Sequence, residues 1–256
     1  MPVSHAIQFE GISRSFGEYT AVDGIDLEIG AGKFVSVVGP SGCGKSTLLN
    51  MAAGLMVPTK GSVSIFGTPL SGLNRRAAYM FQQDALLPWK TVRENIGLGL
   101  TFRGTFSDAK AQKWVDRVGL TAFADKFPAQ LSGGMRKRVA MAQCWIVDPD
   151  ILLMDEPFSA LDVHTRMRME GELLDLWTGS PKTVLFVTHD LEEALSLSDE
   201  VVVLSAGPAS HIVARHTIDL PRPRNLMDIR TEPRFTELYR EIWAELKHEV
   251  LTSYAR

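Results

Sequence analysis

Cysteine is scarce: Cys43 and Cys144 are the only two in 256 residues. They are too few and too isolated to read as a disulfide framework or a metal site, and a reducing compartment fits. Long apolar runs are missing too. The nearest, residues 139–147, is short and interrupted by Gln143, so no bilayer span is expected. The N-terminal stretch up to Gly11 has no basic region followed by an apolar run, so no signal peptide is expected. There is no excess of positive charge either. A formal net charge of -3 argues against a nucleic-acid partner. Repeats and low-complexity tracts are absent. If a membrane is served, it is reached through a partner.

What remains is the composition of a globular domain, 45% hydrophobic and 22% charged, long enough to bury a sizeable core. Residues 7–12 and 25–29 alternate like half-buried strands, and residues 34–38 read as a buried strand. A helix starts near Lys45 and stops around Gly54. Apolar residues then recur at helical spacing through 92–102, 109–118 and 135–147, giving a helix-rich stretch from about Leu86 to Asp148. Strand patterns return at 151–154, 183–188 and 200–204, with helices between them. Such alternation predicts a parallel sheet covered on both faces, with the helix-rich stretch as an insertion. A short basic linker at residues 221–224 precedes a last amphipathic helix, roughly 233–251.

The segment Gly39-Pro40-Ser41-Gly42-Cys43-Gly44-Lys45-Ser46-Thr47 fits G-x-x-x-x-G-K-[ST]. Its glycines let backbone N–H groups curl around phosphate oxygens where side chains would clash. Lys45 supplies charge to the outer phosphates, Ser46 offers a hydroxyl to Mg²⁺, and the helix that follows aims its positive end at the nucleotide. The motif follows a β-branched run and opens a helix, as that chemistry requires. Cys43, near a helix N-terminus, reads either as a reactive thiolate or as a small residue that simply fits.

Ile151-Leu152-Leu153-Met154 runs into Asp155-Glu156, an acidic pair at a strand end, where α/β sheets place ligands. Asp155 would hold Mg²⁺ with Ser46, and Glu156 would be the general base for the attacking water. His189 ends the next strand, within reach of the γ-phosphate or that water. Leu131-Ser132-Gly133-Gly134-Met135 precedes a helix and offers backbone amides to a second anion site.

Taken in order, these residues resemble the nucleotide-binding subunit of an ABC transporter, over nearly the whole chain. Residues 39–47 match its Walker A motif, Gln82 its Q-loop and residues 131–135 its signature. Residues 151–156 match Walker B, Ser159-Ala160-Leu161-Asp162 the D-loop and His189 the switch histidine. The resemblance implies an α/β fold: a P-loop NTPase core of ABC ATPase type with an N-terminal antiparallel β subdomain and an inserted α-helical subdomain. The implied division is 1–85 and 149–220 for the ATP-binding core, 86–148 for the signature subdomain and 221–256 for a C-terminal linker and helix.

It further implies ATP and Mg²⁺ as ligands and hydrolysis in a homodimer, where the signature of one subunit caps the ATP of the other, as a residue supplied in trans. Ser132, Gly133 and Gly134 would reach the γ-phosphate across that interface. Lys45 and Gln82 would act with Glu156 and His189, Gln82 also as a Mg²⁺ and water ligand. Phe16 matches the aromatic position that stacks on adenine, with Tyr19 beside it as the alternative; either could equally be core packing.

Two positions depart from the family pattern, Met135 where Gln is most common and Gln143 where Arg is. Phosphate contacts come from Ser132 and glycine backbone, so activity should survive Met135. Arg136-Lys137-Arg138 reads as a solvated helix face. The segment around Leu86, Leu87 and Trp89 resembles the importer type, and the tail 219–225 resembles the nitrate/sulfonate/taurine branch. Expected partners are therefore integral membrane permease subunits and, indirectly, an extracytoplasmic solute-binding protein, with the ATPase on the cytoplasmic face of the membrane. Leu86, Leu87 and Trp89 are candidate permease contacts or core residues. A soluble ABC-type ATPase of DNA repair or translation is the alternative, but those usually carry two cores or a long insertion, and basic surface.

Overall fold

The computed structural model describes residues 5–180 and 182–254; the first four residues of the N-terminal stretch read above lie outside them. In chain order the elements are β1 His5–Phe16, β2 Tyr19–Gly30, β3 Phe34–Val38, α1 Lys45–Ala52, β4 Lys60–Ile65, β5 Thr68–Pro69, β6 Ala77–Met80, α2 Val92–Ile96 and α3 Leu98–Phe102. They continue with α4 Asp108–Arg117, α5 Gly133–Trp145, β7 Ile151–Asp155, α6 Val163–Gly179, β8 Thr183–Val187, α7 Leu191–Leu197, β9 Glu200–Leu204, β10 Ile212–Thr217 and α8 Pro233–Tyr254.

Two sheets carry the fold. One is antiparallel, in the order β2-β1-β4-β5. The other runs β10-β9-β3-β8-β7-β6, parallel throughout except for β10 at its edge. Side chains alternate across a strand, and here both faces are buried. Val35, Val37, Ile151, Leu153, Leu185 and Val187 face one way, onto α1 and the antiparallel sheet. Phe34, Val38, Leu152, Met154, Val184 and Phe186 face the other, onto α5, α6, α7 and α8. That two-sided burial is why these strands read as unbroken apolar runs.

Helices α2 to α5 enclose a third core built on Val92, Ile96, Val115, Val139, Ala142 and Ile146. Helix α5 is the shared wall, because its Met141, Cys144 and Trp145 pack into the central core instead. The helix expected over 92–102 is two short helices. Gly97 ends α2 and begins α3, and a Cβ there would lie 2.4 Å from the Phe106 ring. Leu86 is no free surface residue, since it packs against both the central core and the helical one, whereas Trp89 is 70% exposed.

The basic stretches have specific partners. The helix face 136–138 is paired rather than merely solvated, with Lys137 buried and Arg136 partly exposed. Arg136 and Lys137 both pair with Asp84, at 2.9 Å each, and Lys137 donates to the Gln82 carbonyl at 2.7 Å. Arg138 pairs with Glu172. The tail is docked rather than a loose linker. Arg222 pairs with Asp199, and buried Arg224 donates to the carbonyls of Leu195, Ser196 and Ser198 at the end of α7.

Candidate active site

Four neighbouring parallel strands end at one edge of the sheet, in the order β3, β8, β7, β6, and the chain just beyond each supplies one function. After β3 comes the phosphate loop, after β8 His189, at the end of β7 Asp155 and Glu156, and after β6 Gln82. This is the carboxyl edge where open α/β sheets collect ligands.

The phosphate loop turns through Gly44, whose φ of +90 belongs to the left-handed region and whose added Cβ would lie 2.4 Å from Val22. Only glycine fits both demands. Helix α1 starts there with no side-chain cap, which leaves its first N–H groups free to meet an anion. Lys45 is buried, and its Nζ donates to the carbonyls of Gly39 and Pro40 at 2.9 and 3.0 Å. Those two residues thus hold the lysine, and the cavity over the loop is lined by Ser41, Gly42, Gly44, Lys45, Ser46 and Thr47.

That cavity encloses about 430 Å³ and also takes in Phe16, Tyr19, Gln82, Asp155 and Glu156. Phe16 and Tyr19 are both about half exposed on its wall. The Tyr19 hydroxyl leans on the Gly42 carbonyl at 3.5 Å, and the Arg14 guanidinium sits 4.8 Å from the Phe16 ring centre.

Ser46 donates to Asp155 at 2.9 Å, and the Tyr79 hydroxyl donates to the other Asp155 oxygen at 3.3 Å. Burial pushes the Asp155 carboxyl up in spite of both hydrogen bonds. A hydroxyl, a carboxylate and the Gln82 amide oxygen are hard oxygen donors of the kind Mg²⁺ prefers. Among the described residues no cluster of three or more His, Cys, Asp or Glu is placed to bind a metal unaided.

Glu156 has a φ of +41, a left-handed conformation that costs a non-glycine residue about 1–2 kcal/mol. Its N–H bonds to the Val187 carbonyl at 2.8 Å, so pairing with β8 holds the strained backbone in place. The Glu156 Oε2 meets His189 Nδ1 at 3.0 Å and Gln82 Nε2 at 3.4 Å. A carboxylate, an imidazole and an amide thus converge beside the phosphate loop.

Ser132, Gly133 and Gly134 are not brought to this cavity, which residues 131–135 do not line. Ser132 caps α5 by accepting from Met135 N. Ser132 is exposed and Gly134 half-buried, both beside Thr165 and Arg168. Residues 22–159 match the family described as ABC transporter.

The chain belongs to the ABC transporter family. It is an ATP-binding subunit and an ATPase, with the P-loop α/β fold of ABC cassettes. It is 43% identical over 249 residues to a putative ATP-binding protein of Brucella abortus, covering 95% of this chain and 94% of that protein. It is 41% identical over 240 residues to the taurine import ATP-binding protein TauB of Burkholderia pseudomallei, covering 91% and 92%. Among solved structures, a dimeric bacterial ABC transporter cassette matches with a TM-score of 0.73 at 31% identity, over 84% of this chain and 100% of that one.

The structure of this ABC cassette corrects one expectation about its phosphate loop. Cys43 is fully buried, and burial pushes its thiol up even though Lys45 is close. Both features oppose a reactive thiolate and favour the small residue that fits. Cys144, also buried, is pushed up to about 12. Maleimide at neutral pH is accordingly expected to leave the folded ABC cassette unmodified while both cysteines react after denaturation, as mass spectrometry would read. Rapid loss of ATPase activity with one adduct on the native chain would refute this.

Two contributors in the ABC site went unnoticed in the sequence. Tyr79 holds Asp155, and Asp84 ties residues 82–84 to the signature helix through Arg136 and Lys137. An acid two places after Gln82, with basic residues on a distant helix, is the one signal present, and it lacks any fixed spacing.

Proposed function

We propose that this ABC ATPase drives an importer for a small anionic solute such as nitrate, a sulfonate or taurine. In this reading it works as a homodimer with two composite ATP sites, bound to two membrane permease subunits on the cytoplasmic face. An extracytoplasmic solute-binding protein delivers the solute. The importer assignment leans on the relative named for taurine import and on the segment around Trp89. The observation that carries the mechanism is the Glu156–His189 contact at 3.0 Å beside a cavity that lacks the signature residues. A site complete in everything but its second anion cradle calls for a second copy.

Residues 39–47 hold the triphosphate, with Lys45 leaving the Gly39 and Pro40 carbonyls for the outer phosphates. Phe16, with Tyr19 beside it, supports the adenine. Ser46, Asp155 and Gln82 hold Mg²⁺, which neutralises phosphate charge when bound. Glu156 accepts the proton of the attacking water, and His189 fixes the carboxylate through Nδ1–H. Ser132, Gly133 and Gly134 of the opposing subunit close over the γ-phosphate. Residues 86–148 act as the mobile signature subdomain on a core of 1–85 and 149–220, with 221–256 as C-terminal linker and helix. The bonds from Arg136 and Lys137 to residues 82–84 give a push on that segment a direct path to the signature.

Among the described residues no helix is long and apolar enough to cross a membrane, so transport in this reading needs the permease. Exposed Trp89 is the proposed contact. Trp89→Ala is expected to leave the basal ATPase rate of the purified chain within about twofold, since exposed side chains away from the site contribute little. In vesicles with the permease it should abolish the stimulation given by loaded binding protein. Undiminished stimulation would remove Trp89 from the interface.

A further inference from the structure

Among the described residues His189 has one side-chain hydrogen-bond partner, Glu156, so its aim depends on its neighbours in the chain. Both are tied down from beneath. The hydroxyl of Thr188 donates to Glu193, and Asp190 pairs with Arg166 at 2.9 Å while capping α7. Arg166 in turn donates to the Leu161 carbonyl of the D-loop at 3.3 Å. Under this junction lie two buried acids, Glu170 on α6 with no exposed surface and Glu193 on α7 with 3%. Burial raises both carboxyls, Glu193 to about 8, so Glu170 needs a cation beside it to keep its charge.

The cation comes from far along the chain. Arg230, in the turn just before α8, reaches Glu170 at 3.2 Å with one nitrogen and Glu192 at 3.1 Å with another. Helix α7 is thus gripped at both ends by one tail segment. Arg230 holds its first turn, and Arg224 donates to the carbonyls of its last. The segment itself is seated by Ile218, Leu220, Leu226 and Ile229, all buried in the central core.

We propose that Arg230 is a positioning residue for ATP hydrolysis: by compensating Glu170 beneath the first turn of α7, it fixes the backbone on either side of His189 and so aims the imidazole at Glu156. The C-terminal segment is then part of the catalytic apparatus without touching nucleotide. This rests on the role given to His189 above. Since misplacement by about an ångström can cost up to ~10²-fold in rate, Arg230 should govern kcat and leave ATP binding alone.

The test is steady-state MgATP hydrolysis by the purified full chain in four forms beside wild type: Arg230→Met, Arg230→Lys, Arg230→Met with Glu170→Gln, and His189→Ala. Arg230→Met should lower kcat by about tenfold or more, with KM for ATP within about twofold. Arg230→Lys should recover most of that loss. The double variant should recover it as well, because removing both members of a buried pair is far milder than stranding one. Melting curves taken in parallel separate unfolding from misplacement, and the double variant reports even if Arg230→Met alone does not fold. Wild-type kcat in Arg230→Met, or no recovery in a folded double variant, overturns the proposal while His189→Ala remains inactive. Wild-type kcat in His189→Ala would instead overturn the role of His189, and the proposal with it.

Discussion

Replacing Glu156 by Gln is expected to lower MgATP turnover by ~10²–10⁴ while nucleotide binding stays intact, the usual cost of losing a general base. Glutamine keeps the volume and the contacts that hold this position. Its amide still meets His189 and Gln82, which now lie 3.0 and 3.4 Å from the carboxylate. The strained φ of +41 is fixed by the backbone bond to Val187, which the substitution does not touch. What is lost is the capacity to take a proton from water. Phosphate release and the binding of a fluorescent ATP analogue measure the two halves of this expectation separately. The variant should also accumulate as an ATP-bound dimer, because the step that opens it has been stopped. Turnover at the wild-type rate would take the role of base away from Glu156.

Lys45→Met should weaken ATP binding by roughly ten- to a hundredfold, the worth of a charge-assisted contact of about 1.5–3 kcal/mol. Methionine fills nearly the same space beneath the loop, so the chain should fold as before. The carbonyls of Gly39 and Pro40, which accept from Nζ at 2.9 and 3.0 Å, lose that donor but lie beside an open cavity from which water can replace it. Calorimetric titration with ATP gives the affinity, and a melting curve checks the fold. Unchanged affinity would mean that the ammonium stays on the loop carbonyls and never serves the phosphates.

Much of this was legible in the chain because the site is assembled from short local motifs. The phosphate loop sits between an apolar strand and a helix start, and Asp155-Glu156 ends a run buried on both sides. Each of those signals is contained within ten residues. What escaped was decided by distant partners. Strand β6, Ala-Ala-Tyr-Met, is short and alanine-rich, and only pairing with β7 makes it a strand. Strand β4 carries Gly61 and a largely polar face, so its alternation is faint. Residues 136–138 read as a solvated face and 221–224 as a basic linker because a sequence shows a charge but not the acid or carbonyl that meets it. Cys43 stays open between two readings in the sequence, since position near a helix start suggests activation and only burial decides against it. The apparently continuous helical pattern divides at Gly97, where the nearby Phe106 ring leaves no room for a Cβ, a packing constraint that no local period reveals.

The central claim is that each ATP site needs residues from two copies of the chain. It is tested most directly by mixing two variants that fail for different reasons, Lys45→Met in the loop and Ser132→Arg in the signature, and following MgATP hydrolysis. Each alone should be nearly inactive. In a mixed dimer the intact loop of one copy faces the intact signature of the other. Random pairing of equal amounts then restores roughly a quarter of the wild-type sites, and activity should return on mixing to about that extent. A mixture as inactive as its components, although the two chains dimerise, would contradict the composite site and leave hydrolysis to a single copy.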